Sequence, residues 1–141
     1  MFLTIILYII IEINFSNMKY NIFNIIFDRN KIILSELLFY TDAMITDYSG
    51  VLYDSLAMDK MTIFAIDDIK DYMDNRGFME NDPYKYMAGE KVKNIEELIN
   101  SFEDVRKNND KYKEDRRKKR KLFFDYVDNN SSKRIVEYFK F

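Results

Sequence analysis

Apolar and polar positions alternate in blocks along the middle of the chain. Ile22 to Phe27 is a short apolar run closed by Asp28-Arg29-Asn30, which predicts a strand and a turn. Between Lys31 and Tyr40, Ile32, Ile33, Leu34, Leu37, Leu38 and Phe39 lie opposite Ser35 and Glu36. That is the spacing of a helix with a wide buried face. Thr41-Asp42 turns the chain into a strand from Ala43 to Ile45, which runs into Thr46-Asp47-Tyr48-Ser49-Gly50. A helix from Gly50 to Asp59 follows, then an apolar strand from Met61 to Ile66. Strand, helix, strand, helix, strand predicts an α/β fold: a parallel sheet with helices on its faces.

The flanks are read less directly. Phe2 to Ile11 is almost wholly apolar and ends at Glu12. A membrane span needs about 18 to 20 such residues, so the run is too short. No basic segment precedes it and no small-residue cleavage site follows. Its β-branched content favours a strand buried on both faces or a misplaced start, ahead of a membrane-surface segment.

Downstream, Asp67, Asp68, Asp71 and Asp74 read as a capped, solvated short helix from Asp68 to Asp74 in preference to a metal site. Arg76-Gly77-Phe78 makes a turn. Asn81 to Lys93 holds the single proline and reads as a loop. Asn94 caps a helix to Val105, with Ile95, Leu98, Ile99 and Phe102 on one face. Lys107 to Lys121 is strongly charged and reads as the solvated or membrane-facing side of a helix. Leu122, Phe123, Phe124, Tyr126 and Val127 are expected to pack. A last amphipathic helix, Ser132 to Phe141, is expected to turn Ile135, Val136 and Phe139 inward.

Composition narrows the chemistry. With 141 residues, 48% hydrophobic and 33% charged, the chain is suited to one globular domain with a modest core. A net charge of -2, and a basic run without interleaved aromatics, argue against a nucleic-acid partner. There is no cysteine, hence no disulfide or thiol chemistry, and no histidine, which removes the commonest general base and zinc ligand. No cofactor is implied.

The chemistry-bearing stretch is Ala43 to Asp54, AMITDYSGVLYD. Its turn sets two hydroxyls, Thr46 and Ser49, beside Asp47 and Gly50 where a helix opens. The first amides of a helix lack internal partners, and its dipole is positive there, so the turn suits a phosphate. The alternative is that Ser49 caps the helix.

Four motifs follow in order: ITDYSG-VLYD, MTIFAIDDIKDYMDNRGF, AGEKVKNIEELI and FFDYVDNNSSKRIVEYF. Together they resemble the C-terminal end of the CDP-glycerol glycerophosphotransferase family of teichoic acid synthesis, from residue 22 to 141. The resemblance implies a Rossmann-like, partial donor-binding domain of a GT-B-type transferase over 19–141, with 1–18 as a non-matching apolar segment. It implies CDP-glycerol or a related CDP-polyol as donor and a teichoic-acid-type polymer as acceptor. The expected location is cytoplasmic, peripheral on the anionic membrane face.

The resemblance also implies roles. Thr46, Asp47, Ser49 and Gly50 match the turn that meets the donor pyrophosphate, where the family usually has a second serine in place of Gly50. Asp54 matches an aspartate that bonds the turn from inside or contacts donor hydroxyls. Arg76 matches the arginine of the R-G-F motif, suited to a bidentate phosphate contact; the alternative is a surface ion pair with Asp71 or Asp74. Ala88-Gly89 stands where the family has proline-glycine, and Asp128-Asn129-Asn130 where it has aspartate-glycine-asparagine. The family's catalytic histidines have no counterpart in this sequence. The expectation is a truncated donor-binding portion, with no catalytic residue and no metal ligand, that does not turn over alone. The other expectation is a non-catalytic module docking on anionic membrane or a partner transferase.

Overall fold

The computed structural model describes residues 5–8, 34–78 and 82–140. Within them the chain builds a four-stranded, all-parallel sheet in the order β1 (Ile5–Tyr8), β2 (Ala43–Thr46), β3 (Met61–Ala65), β4 (Glu90–Val92). The helices are α1 (Leu34–Phe39), α2 (Val51–Ala57), α3 (Ile69–Asn75), α4 (Ile95–Arg106), α5 (Lys113–Phe123) and α6 (Ser131–Phe139). This is the expected α/β architecture, a partial Rossmann-like sheet with helices. The N-terminal apolar run supplies a strand, with Ile5 to Tyr8 in register with Ala43 to Thr46. The strand expected at Ile22 to Phe27, and residues 31 to 33 of the first helix, lie outside the described residues.

The central strands read as continuous apolar runs because both their faces are covered. Ala43, Ile45 and Ile63 point to one side and meet Leu98, Phe102 and Val105 of α4. Phe64 and Ile66 lie in the cluster with Leu52 and Leu56 of α2, and Phe123 of α5 packs against it. Met44 meets Leu38 of α1 and Val51 of α2. Each such large side chain contributes about 1.5–3 kcal/mol by leaving water. Asn94 caps α4 as expected: its side-chain oxygen accepts the Glu97 amide at 2.9 Å, and Glu97 reaches back to the Lys93 amide at 2.7 Å.

Four expectations are corrected. The segment read as a loop, 81–93, contains β4; three residues with one buried apolar side chain are too short to show a period-two pattern. Asp68 occupies the cap position of α3 without capping it. Ile135, Val136 and Phe139 of α6 do not turn inward but are exposed, and so are Leu122, Tyr126 and Val127; of that stretch only Phe123 and Phe124 pack on the core. An apolar stripe predicts that a helix can bury a face, but the covering surface must come from elsewhere in the fold. Finally, Arg116 in the basic run is no solvated cation but is 2% exposed, held by two carboxylates. Among the described residues, no helix is long and apolar enough to cross a membrane.

Candidate functional site

The turn after β2 opens at the carboxyl end of the sheet, where open α/β folds place their ligands. Thr46 closes the strand fully buried, and its hydroxyl has no hydrogen-bond partner among the described residues. A buried hydroxyl left unpaired costs about 1–3 kcal/mol. Asp47 bends the chain: its carboxylate accepts the Ser49 amide at 2.8 Å, an Asx turn. The Ser49 and Gly50 carbonyls then accept the Leu52 and Tyr53 amides, which starts α2. Gly50, not Ser49, stands at the cap position, and no side chain caps this helix. The capping alternative for Ser49 is therefore set aside, and its hydroxyl is left for other uses.

Gly50 is exposed, with φ -59° and open space where a Cβ would stand, so a side chain would fit there. Asp54 is exposed on α2 and, among the described residues, makes no bond to the turn from inside. Arg76 is exposed at the end of α3 and pairs with neither Asp71 nor Asp74, so the surface ion pair is absent. Its amide and that of Gly77 both bond to the Tyr72 carbonyl, at 2.9 and 3.0 Å. Gly77 sits at φ 71°, a left-handed residue closing a helix, which explains the glycine of the R-G-F motif.

The two motifs meet on one cleft of about 320 Å³, within the range of small-ligand sites. Tyr48 and Gly50 line it from the turn, and Gly77 and Phe78 from the segment after α3. Of the expected site residues only Gly50 is on its wall; Thr46, Asp47, Ser49, Asp54 and Arg76 are not. Much of the lining is aromatic, a feature that no motif of the sequence marks. Tyr48, Tyr72 and Phe78 form one cluster, with ring centroids 4.3 to 5.3 Å apart; Tyr53 and Tyr86 flank Phe123 at 4.9 and 4.8 Å. A chain that is 16% aromatic signals such a wall only in bulk, because its members come from six separate places along the chain.

The Tyr48 hydroxyl donates to the Asp68 carboxylate at 2.9 Å. Burial, then that bond and the charges of Asp68, Asp67 and Asp47, push its pKa well above the ordinary tyrosine value. Three carboxylates, Asp47, Asp67 and Asp68, thus act on the middle of the turn and work against a bound anion there. Among the described residues, no group of three or more carboxylates converges to hold a metal ion.

Residues 11–140 match the family model described as CDP-glycerol:poly(glycerophosphate) glycerophosphotransferase. The chain belongs to that family. Among its relatives, the teichoic acid poly(ribitol-phosphate) polymerase of Bacillus spizizenii is 30% identical over 74% of this chain and 16% of its own length. The teichoic acid glycerol-phosphate transferase of Staphylococcus aureus is 31% identical over 74% of this chain and 27% of its own. The teichoic acid poly(glycerol phosphate) polymerase of Bacillus spizizenii is 34% identical over 78% of this chain and 27% of its own. The chain therefore spans between about a sixth and a quarter of the length of these relatives.

Proposed function

We propose that this chain carries the donor-binding face of a CDP-polyol phosphotransferase of the GT-B type. The observation behind this reading is the convergence of the T-D-Y-S turn and the R-G-F segment on a single cleft. In the proposal, the Ser49 hydroxyl and the Arg76 guanidinium hold the donor phosphates. Gly50 leaves room beside them, Asp47 keeps the turn in shape, Thr46 underlies it, and exposed Asp54 faces the polyol hydroxyls. A phosphoryl group passing from CDP-glycerol to a hydroxyl of a teichoic-acid-type polymer needs such charge compensation. It also needs a base to take the acceptor proton. The sequence has no histidine, so the chain by itself binds the donor without turning it over. Relatives named for ribitol phosphate and for glycerol phosphate leave the polyol as either.

Calorimetric or NMR titration with CDP tests this reading. Binding at millimolar nucleotide is expected, weakened about tenfold in Ser49→Ala and Arg76→Gln, as for loss of a charge-assisted hydrogen bond. Absence of any contact at that concentration refutes it.

A second reading rests on the C-terminal end. Ile135, Val136 and Phe139 are exposed on α6, and Lys118 and Lys121 are exposed on α5. Exposed apolar side chains and exposed basic side chains on two successive helices are the make-up of a region lying on anionic lipid, and would keep the protein peripheral at the cytoplasmic membrane face. Co-sedimentation with anionic vesicles that falls steeply with salt is the expected result; no sedimentation contradicts it.

A further inference from the structure

The segment carrying Arg76 is weakly rooted. None of the residues of α3 is fully buried, so core packing holds the helix only lightly. Its first turn touches the core only through the half-buried Ile69. Beyond α3, Phe78 packs on the same core cluster, and three further attachments converge on one residue, Tyr48, in the middle of the turn after β2. The Tyr48 hydroxyl bonds to Asp68 at the start of α3, at 2.9 Å. Its ring lies 4.3 Å from that of Tyr72 in the middle of α3, and 5.3 Å from that of Phe78 just beyond it.

Asp68 shows that the arrangement is specific. It stands at the cap position of α3, where an aspartate ordinarily accepts an amide from the first turn and stabilises the helix. Here it makes no such bond, and its carboxylate accepts the Tyr48 hydroxyl instead. From Tyr72 the connection continues through the backbone, because the Tyr72 carbonyl accepts both the Arg76 and the Gly77 amides. A continuous chain of contacts thus runs from the T-D-Y-S turn to the R-G-F turn.

We infer that Tyr48 is a positioning residue: its bond to Asp68 and its stack on Tyr72 and Phe78 fix the Arg76-bearing arm against the phosphate turn, and so set the affinity for the phosphates of the donor. The inference rests on the reading of the cleft as a donor site. The Tyr48 hydroxyl acts through Asp68 and the Arg76-bearing arm, while the Tyr48 ring keeps its place on the cleft wall in either single variant. Loss of the strap therefore separates phosphate affinity from nucleoside affinity, which a general loss of stability does not do.

The test uses the full chain with Tyr48→Phe, Asp68→Ala and the double variant. CDP and cytidine are titrated by calorimetry or NMR, and amide exchange is followed along α3. Tyr48→Phe keeps the ring contacts and removes only the hydroxyl. CDP affinity is expected to fall about fivefold in each single variant, the factor for one lost hydrogen bond, and no further in the double. Cytidine affinity is expected to stay unchanged. Amides of Ile69 to Asn75 are expected to exchange faster while β2 and β3 keep their protection. Unchanged CDP affinity in Tyr48→Phe, or an equal loss for cytidine, overturns the inference. If the unsubstituted chain binds no CDP, the donor-site reading fails, and the phosphate role assigned to the strap fails with it. Exchange along α3 then still reports whether the strap itself exists, and unaltered exchange in both single variants removes that as well.

Discussion

Arg116 on α5 donates from Nε to Asp59 Oδ1 at 2.8 Å, across 57 positions of the chain. Its two terminal nitrogens fork onto Asp110 at 3.2 and 2.6 Å. The guanidinium is almost wholly buried, and burial works against its charge. Hydrogen bonds donated to the two carboxylates outweigh that and raise its pKa above the ordinary value. Asp59 lies in the turn between α2 and β3, at φ 53°. The network therefore fixes α5 to the corner of the sheet, and Phe123 at the far end of the same helix is held at the cleft.

Replacing Arg116 by leucine leaves two carboxylates facing an apolar side chain. The expected loss is about 3 kcal/mol, as for breaking one partner of a buried ion pair. Arg116→Lys keeps a charge but cannot fork onto both partners, and is expected to recover only part of that stability. Urea unfolding measures both; a loss below about 0.5 kcal/mol, the range of an exposed pair, would show that the network does not hold α5.

Gly89 lies against β3 so closely that a Cβ would stand 1.9 Å from the Thr62 carbonyl oxygen and 2.8 Å from its carbon. Backbone cannot yield there without parting β3 from β4. Gly89→Ala is expected to cost about 3 kcal/mol or more, or to prevent folding. A thermal melt within a few degrees of the parent would contradict this.

Gly50 presents the opposite case. With open space around it and an ordinary helical φ, Gly50→Ser is expected to raise stability by about 0.4–1 kcal/mol by restricting the unfolded chain. It also restores the second hydroxyl usual in the family, so CDP affinity is expected to rise or hold. A destabilised variant would mean that the turn adopts another conformation in solution.

Asp128 accepts both terminal nitrogens of Arg134 at 3.0 Å and the Asn130 amide at 2.9 Å. The Arg134 bonds foremost, then the Asn130 amide, lower its pKa from 3.8 to about 2. A depressed folded value means that the contact supports the start of α6 fully above pH 3.8 and is lost as pH falls towards about 2. In Arg134→Gln the NMR titration midpoint of Asp128 is expected to move up towards 3.8. A parent protein that already titrates there would contradict the contact.

Much of this protein was legible in the chain itself. The runs Ala43 to Ile45 and Met61 to Ile66 announce buried parallel strands, because a strand covered on both faces has no polar side to show. Asn94 and Glu97 announce the start of α4, because capping is a local matter of three or four residues. The ordered motifs announce the family. What the sequence could not decide is which side chains meet over long distances. Arg116 reads as one of several basic residues until Asp59 and Asp110 are seen to enclose it. Tyr48 reads as one of eleven tyrosines until Asp68, Tyr72 and Phe78 are seen around it. The inward face expected of α6 failed for the same reason: periodicity states which side of a helix is apolar, while only the packing of the whole fold decides whether anything covers it. The turn from Thr46 to Gly50 stands between the two cases. Its chemistry was written locally, but the cleft it opens on exists because α3, α5 and the segment before β4 are folded against it.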